Sequence, residues 1–273
     1  MQIFLYLCSV FLTIMEKITK NQVKFVRGLG RKKERDEAGV FLAEGEKCVG
    51  ELTGKFELVL RADSSNATAL ELEQMSQLRA PQGVVAVFRK PKEEPVLQAE
   101  LASRELVLAL DGVQDPGNLG TIIRTADWFG VKHIFCSKDT ADCWSPKVVQ
   151  ATMGALARVR VHYIDLVGAL ESIRPVYGTL LDGRNLYEAG AVPEKRRGVI
   201  VMGNEGNGLS QEVRSRVTHP LLIPPFPAGA ETSESLNVAV ATAVILAEFR
   251  RRVKVTGSFL ASSDDLLRCA QDY

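Results

Sequence analysis

Short apolar runs punctuate the chain, and their lengths separate two regions. In the first, from residue 17 to about residue 90, Val40-Phe41-Leu42-Ala43, Leu58-Val59-Leu60 and Val84-Val85-Ala86-Val87-Phe88 predict strands. Stretches of helical spacing lie between them at 47–52 and 67–78. Pro91-Lys92-Glu93-Glu94-Pro95 breaks this pattern, because two prolines in a charged stretch suit a linker. From Glu105 onward the reading changes. Residues 106–110 are continuously apolar, as a strand buried on both faces requires. Similar runs occur at 133–136, 159–163, 179–181, 199–202 and 221–223. Leu119, Ile122, Ile123, Ala126 and Phe129 fall at helical spacing, with Gly130 as a stop. A closing helix carries Leu236, Val240, Ala243, Val244, Ala247 and Phe249 and runs into Arg250-Arg251-Arg252, cations suited to a helix C-terminus. Strands alternating with helices predict an α/β fold around a mostly parallel sheet.

Composition narrows the class without naming it. The chain has 273 residues, 46% of them hydrophobic and 25% charged, which suits a globular core. A net charge of +1 gives no general affinity for nucleic acid, so a basic surface has to come from clustering. One cluster exists. Lys17, Lys20, Lys24, Arg27, Arg31, Lys32, Lys33 and Arg35 stand against Glu34 alone. A solvated helix face is the ordinary reading of such a run; here the local excess favours RNA contact. Lys195-Arg196-Arg197 is a weaker second patch.

Cys8, Cys48, Cys136, Cys143 and Cys269 form no C-x-x-C pair and no Cys/His cluster of zinc spacing. We expect reduced thiols, a cytoplasmic location and no metal. His133, His162 and His219 lie in or beside predicted strands and read as structural. Residues 1–15 are mostly apolar but shorter than the ~20 residues of a membrane span. No basic residue precedes the apolar run. We read them as a non-native extension ahead of a start at Met15, with a weak signal peptide as the alternative, and expect no membrane partner.

Ligands of open α/β sheets sit beyond the carboxyl ends of strands. Three polar, glycine-rich segments occupy such places. The first runs from Asp111 to Arg124 and includes Asn118. Asn118 and Arg124 are six residues apart, so they need not share a helix face, although a tight entry loop at Asn118 would bring them to one site. The second is Met202-Gly203-Asn204-Glu205-Gly206-Asn207-Gly208-Leu209, where glycines allow close backbone approach to a ligand. It matches neither the dinucleotide fingerprint nor the P-loop. The third joins Ile223-Pro224-Pro225 to Ser233-Glu234-Ser235-Leu236-Asn237-Val238-Ala239, with Ser235 as a reasonable N-cap of the closing helix. Singly, each has an ordinary reading as a turn or cap. Their order, each at a strand end, favours a functional one.

These three segments resemble the three motifs of the SpoU (TrmH-like) branch of the SPOUT-class RNA 2′-O-ribose methyltransferases, over roughly residues 106–252. Asn118, Arg124, Glu205, Ser235 and Asn237 match; Ala239 departs, where many members have serine. Arg35 with Phe41-Leu42-Ala43-Glu44-Gly45 more loosely resembles the opening of the ribosomal-protein-like RNA-binding domain often fused to this family.

The resemblance implies a C-terminal SPOUT domain with a parallel sheet and a deep trefoil knot, plus a smaller N-terminal α/β RNA-binding domain. It also implies a homodimer with active sites at the interface. S-adenosyl-L-methionine would be held by Gly203, Ile223 and Leu236, with Leu181, Gly183, Met202, Asn204 and Gly206 nearby. Arg124 would assist the ribose hydroxyl, as base or as electrostatic stabiliser, with Asn118, Glu205, Ser235 and Asn237 orienting. Lys20, Lys24, Arg27, Arg31, Lys32, Lys33 and Arg35 would contact RNA, with rRNA favoured over tRNA. The implied division is an extension at 1–15, an RNA-binding domain at 16–90, a linker at 91–104, the methyltransferase domain at 105–255 and a tail at 256–273. A tRNA enzyme, or a non-catalytic RNA-binding assembly protein keeping the fold, is the alternative.

Overall fold

A computed structural model describes residues 17–92, 96–192, 197–227, 233 and 235–251. The Met1–Met15 segment, Glu234, Lys195-Arg196, Arg252 and the 256–273 tail of the sequence reading lie outside the described residues.

The first lobe begins with α1 (Lys20–Gly28), opened by a capping box between Thr19 and Gln22, and α2 (Lys32–Ala38), closed by Gly39 at φ 64°. There follow β1 (Val40–Glu44), α3 (Glu46–Leu52), β2 (Leu58–Ala62), α4 (Ala69–Met75) and β3 (Val85–Arg89). The strands form an antiparallel sheet in the order β1-β3-β2. Helix α4 stops short of the stretch expected through residue 78, and a buried carboxylate supplies the reason. Glu44 accepts from Ser76 Oγ at 2.5 Å and from the Gln77 amide at 2.7 Å, drawing the chain out of the helix. Strand β1 is buried throughout, and apolar up to Glu44, because both faces are covered. Val40 and Leu42 pack with Val26, Leu29 and Met75, whereas Phe41 and Ala43 enter the core of the second lobe.

The second lobe contains α5 (Gln98–Arg104), β4 (Leu106–Leu110), α6 (Pro116–Trp128), β5 (His133–Cys136) and α7 (Pro146–Thr152). It continues with β6 (Arg160–Tyr163), α8 (Leu166–Glu171), β7 (Val176–Asn185), β8 (Gly198–Met202), α9 (Gln211–Arg214), β9 (His219–Leu222) and α10 (Val238–Arg251). Its six strands pair in parallel in the order β6-β5-β4-β8-β7-β9. Each apolar run read from Leu106 onward falls on one of them. Alternation along β4 shows why the run is unbroken. Leu106, Leu108 and Leu110 meet α6 and α10, while Val107 and Ala109 meet Ala102 of α5 and Leu166 and Leu170 of α8.

Strand order reverses between β4 and β8. The chain leaves β4 toward β5 and β6, then returns on the other side. Leu110 and Met202 are register partners at the ends of these strands, so the loops that follow emerge side by side. Such a switch point opens the crevice in which doubly wound sheets bind ligands.

Candidate functional site

The loop after β4 is fixed before it becomes a helix. Asp111 accepts from the Ser210 amide at 2.7 Å, and the Gly112 amide donates to Ser137 Oγ at 2.8 Å. Asp115 is the N-cap of α6, accepting from the Asn118 amide at 2.8 Å, and Pro116 follows it. Asn118 is therefore helical and lies in the first turn, not in an entry loop. Arg124, six residues on, points about 120° around the axis from it. The loop does not bring the two side chains together.

Asn118 meets the second and third segments instead. Its side-chain amide donates to Glu205 Oε1 at 3.0 Å, and its carbonyl accepts from Asn237 Nδ2 at 2.9 Å. Glu205 also accepts from the amides of Gln114 and Asp115 at 3.3 and 3.2 Å. Asn237 Oδ1 accepts from the amides of Ala239 and Val240 at 2.9 and 3.3 Å, so Asn237 caps α10, rather than Ser235. Ser235 is exposed just ahead of it. One hydrogen-bonded chain, Glu205–Asn118–Asn237, thus ties three distant segments together. Helices α6 and α10 run parallel, joined again at their other ends by Arg250, whose Nε donates to the Phe129 carbonyl at 2.7 Å.

Electrostatics give Glu205 a definite state. Burial pushes its carboxyl up, but the donors from Asn118 and the loop amides outweigh this and hold it below the ordinary carboxylate range. Its place at the start of α6 favours the anion further. Glu205 is an ionised clamp at neutral pH, not a proton carrier. Arg124 differs: it is exposed and makes no hydrogen bond or ion pair among the described residues. Its guanidinium is free to meet an incoming anion.

The segments read as cofactor-binding lie along the neighbouring strand ends. Met202 is buried at the tip of β8. A Cβ on Gly203 would stand 2.3 Å from the Gly208 backbone, and one on Gly183 would stand 2.5 Å from the Leu221 backbone. Only glycine permits these main-chain approaches. Asn204 closes the loop, with Nδ2 donating to the Gly112 carbonyl at 2.7 Å and Oδ1 accepting from the Gly206 amide at 2.9 Å. Strand β7 slips register against β9 between Thr179 and Arg184, and Leu181 in that excursion is 81% exposed. Ile223 is half-buried just past β9, and Leu236 is exposed before α10. A cradle of closely packed main chain bordered by uncovered apolar side chains fits a ligand with a flat apolar ring and a polar tail.

The cations near the N-terminus divide. Lys20, Lys24 and Arg27 are exposed on α1. On α2, Lys32 and Lys33 pair with Asp36 and Glu37, and Arg31 just before it pairs with Glu34. The acidic partners Asp36 and Glu37 lie just past the stretch in which the charge excess was counted. Arg35 is a correction to the RNA-contact reading: its side chain is 2% exposed and turned inward. It donates to the carbonyls of Leu29 and Gly30 and to Asp142 at 2.6 Å. Asp111, Ser137, Asp115 and Ser210 hold the site loops; Asp111 and Asp115 entered the sequence reading only as part of the first segment, and Ser137 and Ser210 not at all. The N-cap position of Asp115 before Pro116 was the one available signal. Among the described residues there is no cluster of metal-ligating side chains, and no helix is long and apolar enough to cross a membrane.

An open parallel sheet with a reversed strand order and glycine-packed loops over its crevice defines an α/β ligand-binding enzyme. Comparison with known proteins gives the family. The SpoU rRNA Methylase family model matches residues 105–247, and an MRM3-like substrate binding domain matches residues 20–60. The chain belongs to the SpoU rRNA methylase family. It is 31% identical over 258 residues to the 23S rRNA (guanosine(2553)-2′-O)-methyltransferase RlmP of Bacillus subtilis, covering 86% of this chain and 98% of that one. A TrmH-family chain from Porphyromonas gingivalis shares 40% identity at a TM-score of 0.75, covering 86% of this chain and 99% of that one. An AdoMet-bound rRNA methyltransferase from Sinorhizobium meliloti shares 28% identity at 0.74, covering 87% and 97%.

Proposed function

We propose that this chain transfers a methyl group from S-adenosylmethionine to a ribose 2′-hydroxyl of large-subunit rRNA. The observation that carries this reading is the Glu205–Asn118–Asn237 chain, which locks the three family segments around one strand-end crevice. Family membership and a full-length relative named as a 23S rRNA 2′-O-methyltransferase support it.

S-adenosylmethionine, when bound, supplies a sulfonium-activated methyl group. Gly203, Ile223 and Leu236 would hold it, with Leu181, Gly183, Met202, Asn204 and Gly206 at the border. Leu181 and Leu236 would offer it apolar surface, and the glycine loops would offer it main-chain polar groups. Arg124 would act on the other partner. A guanidinium stays protonated, so it stabilises the alkoxide that develops on the ribose oxygen instead of removing the proton. Glu205, Asn118 and Asn237 hold the loops, and Ser235, exposed just ahead of α10, would orient the substrate with them.

The close approach of Gly183 to the Leu221 backbone, where β7 slips register against β9, supports a knotted passage of the chain. A homodimer accounts for the free Arg124. It shares the exposed side of α6 with Trp128, which is 79% exposed, and Val240 on α10 is 51% exposed. Buried Cys48, Cys136 and Cys143, all unpaired, suit a reducing cytoplasm. We keep the domain division at 16–90 and 105–255, a reading supported by one sheet in each part among the described residues.

Calorimetry with S-adenosylmethionine and mapping of 2′-O-methyl sites in rRNA, with and without the gene, test the reading. Arg124→Ala should bind the cofactor normally and lose about 100-fold or more in methyl transfer. Wild-type turnover by this variant would remove Arg124 from the chemistry.

A further inference from the structure

Three free cations of the first lobe lie on one helix. Lys20, Lys24 and Arg27 of α1 recur at i, i+4 and i+7 and make one stripe about 10 Å long. None has an ion-pair partner among the described residues. The adjacent stripe, one residue further at each step, is Asn21, Phe25 and Gly28. With Lys24, Arg31 and Glu34 it lines a surface cavity of about 380 Å³. Phe25 is 40% exposed there, although Val23 and Val26 on the same helix are buried in the core. Its ring stacks on no other aromatic side chain among the described residues. Gly28 leaves the floor of the groove without a side chain.

An uncovered aromatic ring beside a row of unpaired cations suits a ligand with a flat face and regularly spaced negative charges. We infer that this groove takes one unstacked base of single-stranded RNA on the Phe25 ring, with the flanking phosphates on Lys20, Lys24 and Arg27. Stacking on an aromatic side chain needs a splayed base, which a loop or single strand presents and a duplex does not. Asn21 carries both a donor and an acceptor for the base edge. Arg31, paired with Glu34 at 2.9 Å, lines the wall of the groove. The inference rests on the RNA-methyltransferase reading and adds the form of RNA that the first lobe grips.

Fluorescence anisotropy on the full chain tests it, using a labelled mixed-sequence RNA of about 16 nucleotides as single strand and as duplex, over a salt series. The wild type should prefer the single strand. Phe25→Ala should weaken single-strand binding about tenfold. Phe25→Trp should keep the affinity, with its new indole quenched on binding. Lys24→Glu should lower the salt slope by about 0.7, one phosphate's share for a single strand. All three should keep wild-type melting temperature and cofactor affinity, since these side chains are at the surface.

Unchanged single-strand affinity in Phe25→Ala, or no quenching in Phe25→Trp, overturns the inference. So does Phe25-dependent self-association in sedimentation without a change in RNA affinity, which would give the groove to a second copy. Failure of the functional reading looks different: the wild type would bind no cofactor and methylate no rRNA, whatever the groove does.

Discussion

Glu205 shows how a residue type can suggest one chemistry and its surroundings impose another. A carboxylate in a glycine loop invites a role in proton transfer. Here every described donor around it prefers the anion, and its folded-state pKa lies below the ordinary value. The linkage has one sign. The stabilisation that Glu205 provides is fully present above the unfolded-state carboxylate pKa and is lost as pH falls through the lower folded one. Between pH 5 and pH 8 it does not titrate. Glu205→Gln places an amide donor against the backbone donors of Gln114 and Asp115. We expect at least about a tenfold loss in kcat and about 1–2 kcal/mol in stability. Both limbs of the pH–rate profile above pH 5 should keep their midpoints. A displaced limb would make Glu205 a titrating participant.

Helix α10 depends on Asn237 for two separate things. Its carbonyl oxygen caps the first turn, and its amide nitrogen reaches Asn118 across the helix pair. Two substitutions separate them. Asn237→Asp keeps the capping oxygen but turns a second acceptor toward the Asn118 carbonyl. It should hold thermal stability within about 0.5 kcal/mol, given the near-equivalence of Asn and Asp as caps, and still lose most methyl transfer. Asn237→Ala should lose the activity and about 1 kcal/mol as well. Equal activity in the Asp variant and the wild type would reduce Asn237 to a cap. In the second lobe the helices seen only in the structure are short: α5 and α7 have seven residues, α8 six and α9 four. Two turns or fewer carry too little periodicity to stand out, and packing against the sheet decides them.

At the scale of the whole molecule, the two sheets share one core. Phe41 of the first lobe packs on Trp144 of the second at 4.7 Å between ring centroids. Cys48, Val49 and Leu52 of α3 join Val148 and Val149 of α7 in the same apolar cluster. The buried Arg35–Asp142 pair closes the seam. Arg35→Ala would leave Asp142 and the carbonyls of Leu29 and Gly30 without their donor, at a cost of about 3 kcal/mol. Urea unfolding checks this, with one cooperative transition expected for the wild type. Unchanged stability would mean that water or a neighbouring cation replaces the guanidinium at no cost.

Apolar patterning by itself placed the six strands of the second lobe, the three strands of the first lobe and the two long helices α6 and α10. Burial on one face or both leaves a mark that survives in one dimension. The order of the three polar segments at strand ends was legible for the same reason, since strand ends are where apolar runs stop. Tertiary structure alone decided which polar side chains meet. Asn118 touches Glu205 and Asn237, far away in sequence, because β4 and β8 are neighbours and α6 lies along α10. Charge was the least legible property. Lys32, Lys33 and Arg31 look like free cations in a linear count, yet their carboxylate partners stand three or four residues on, within reach across one helical turn. Arg35 points inward because the second lobe packs over it, a contact that no local pattern announces.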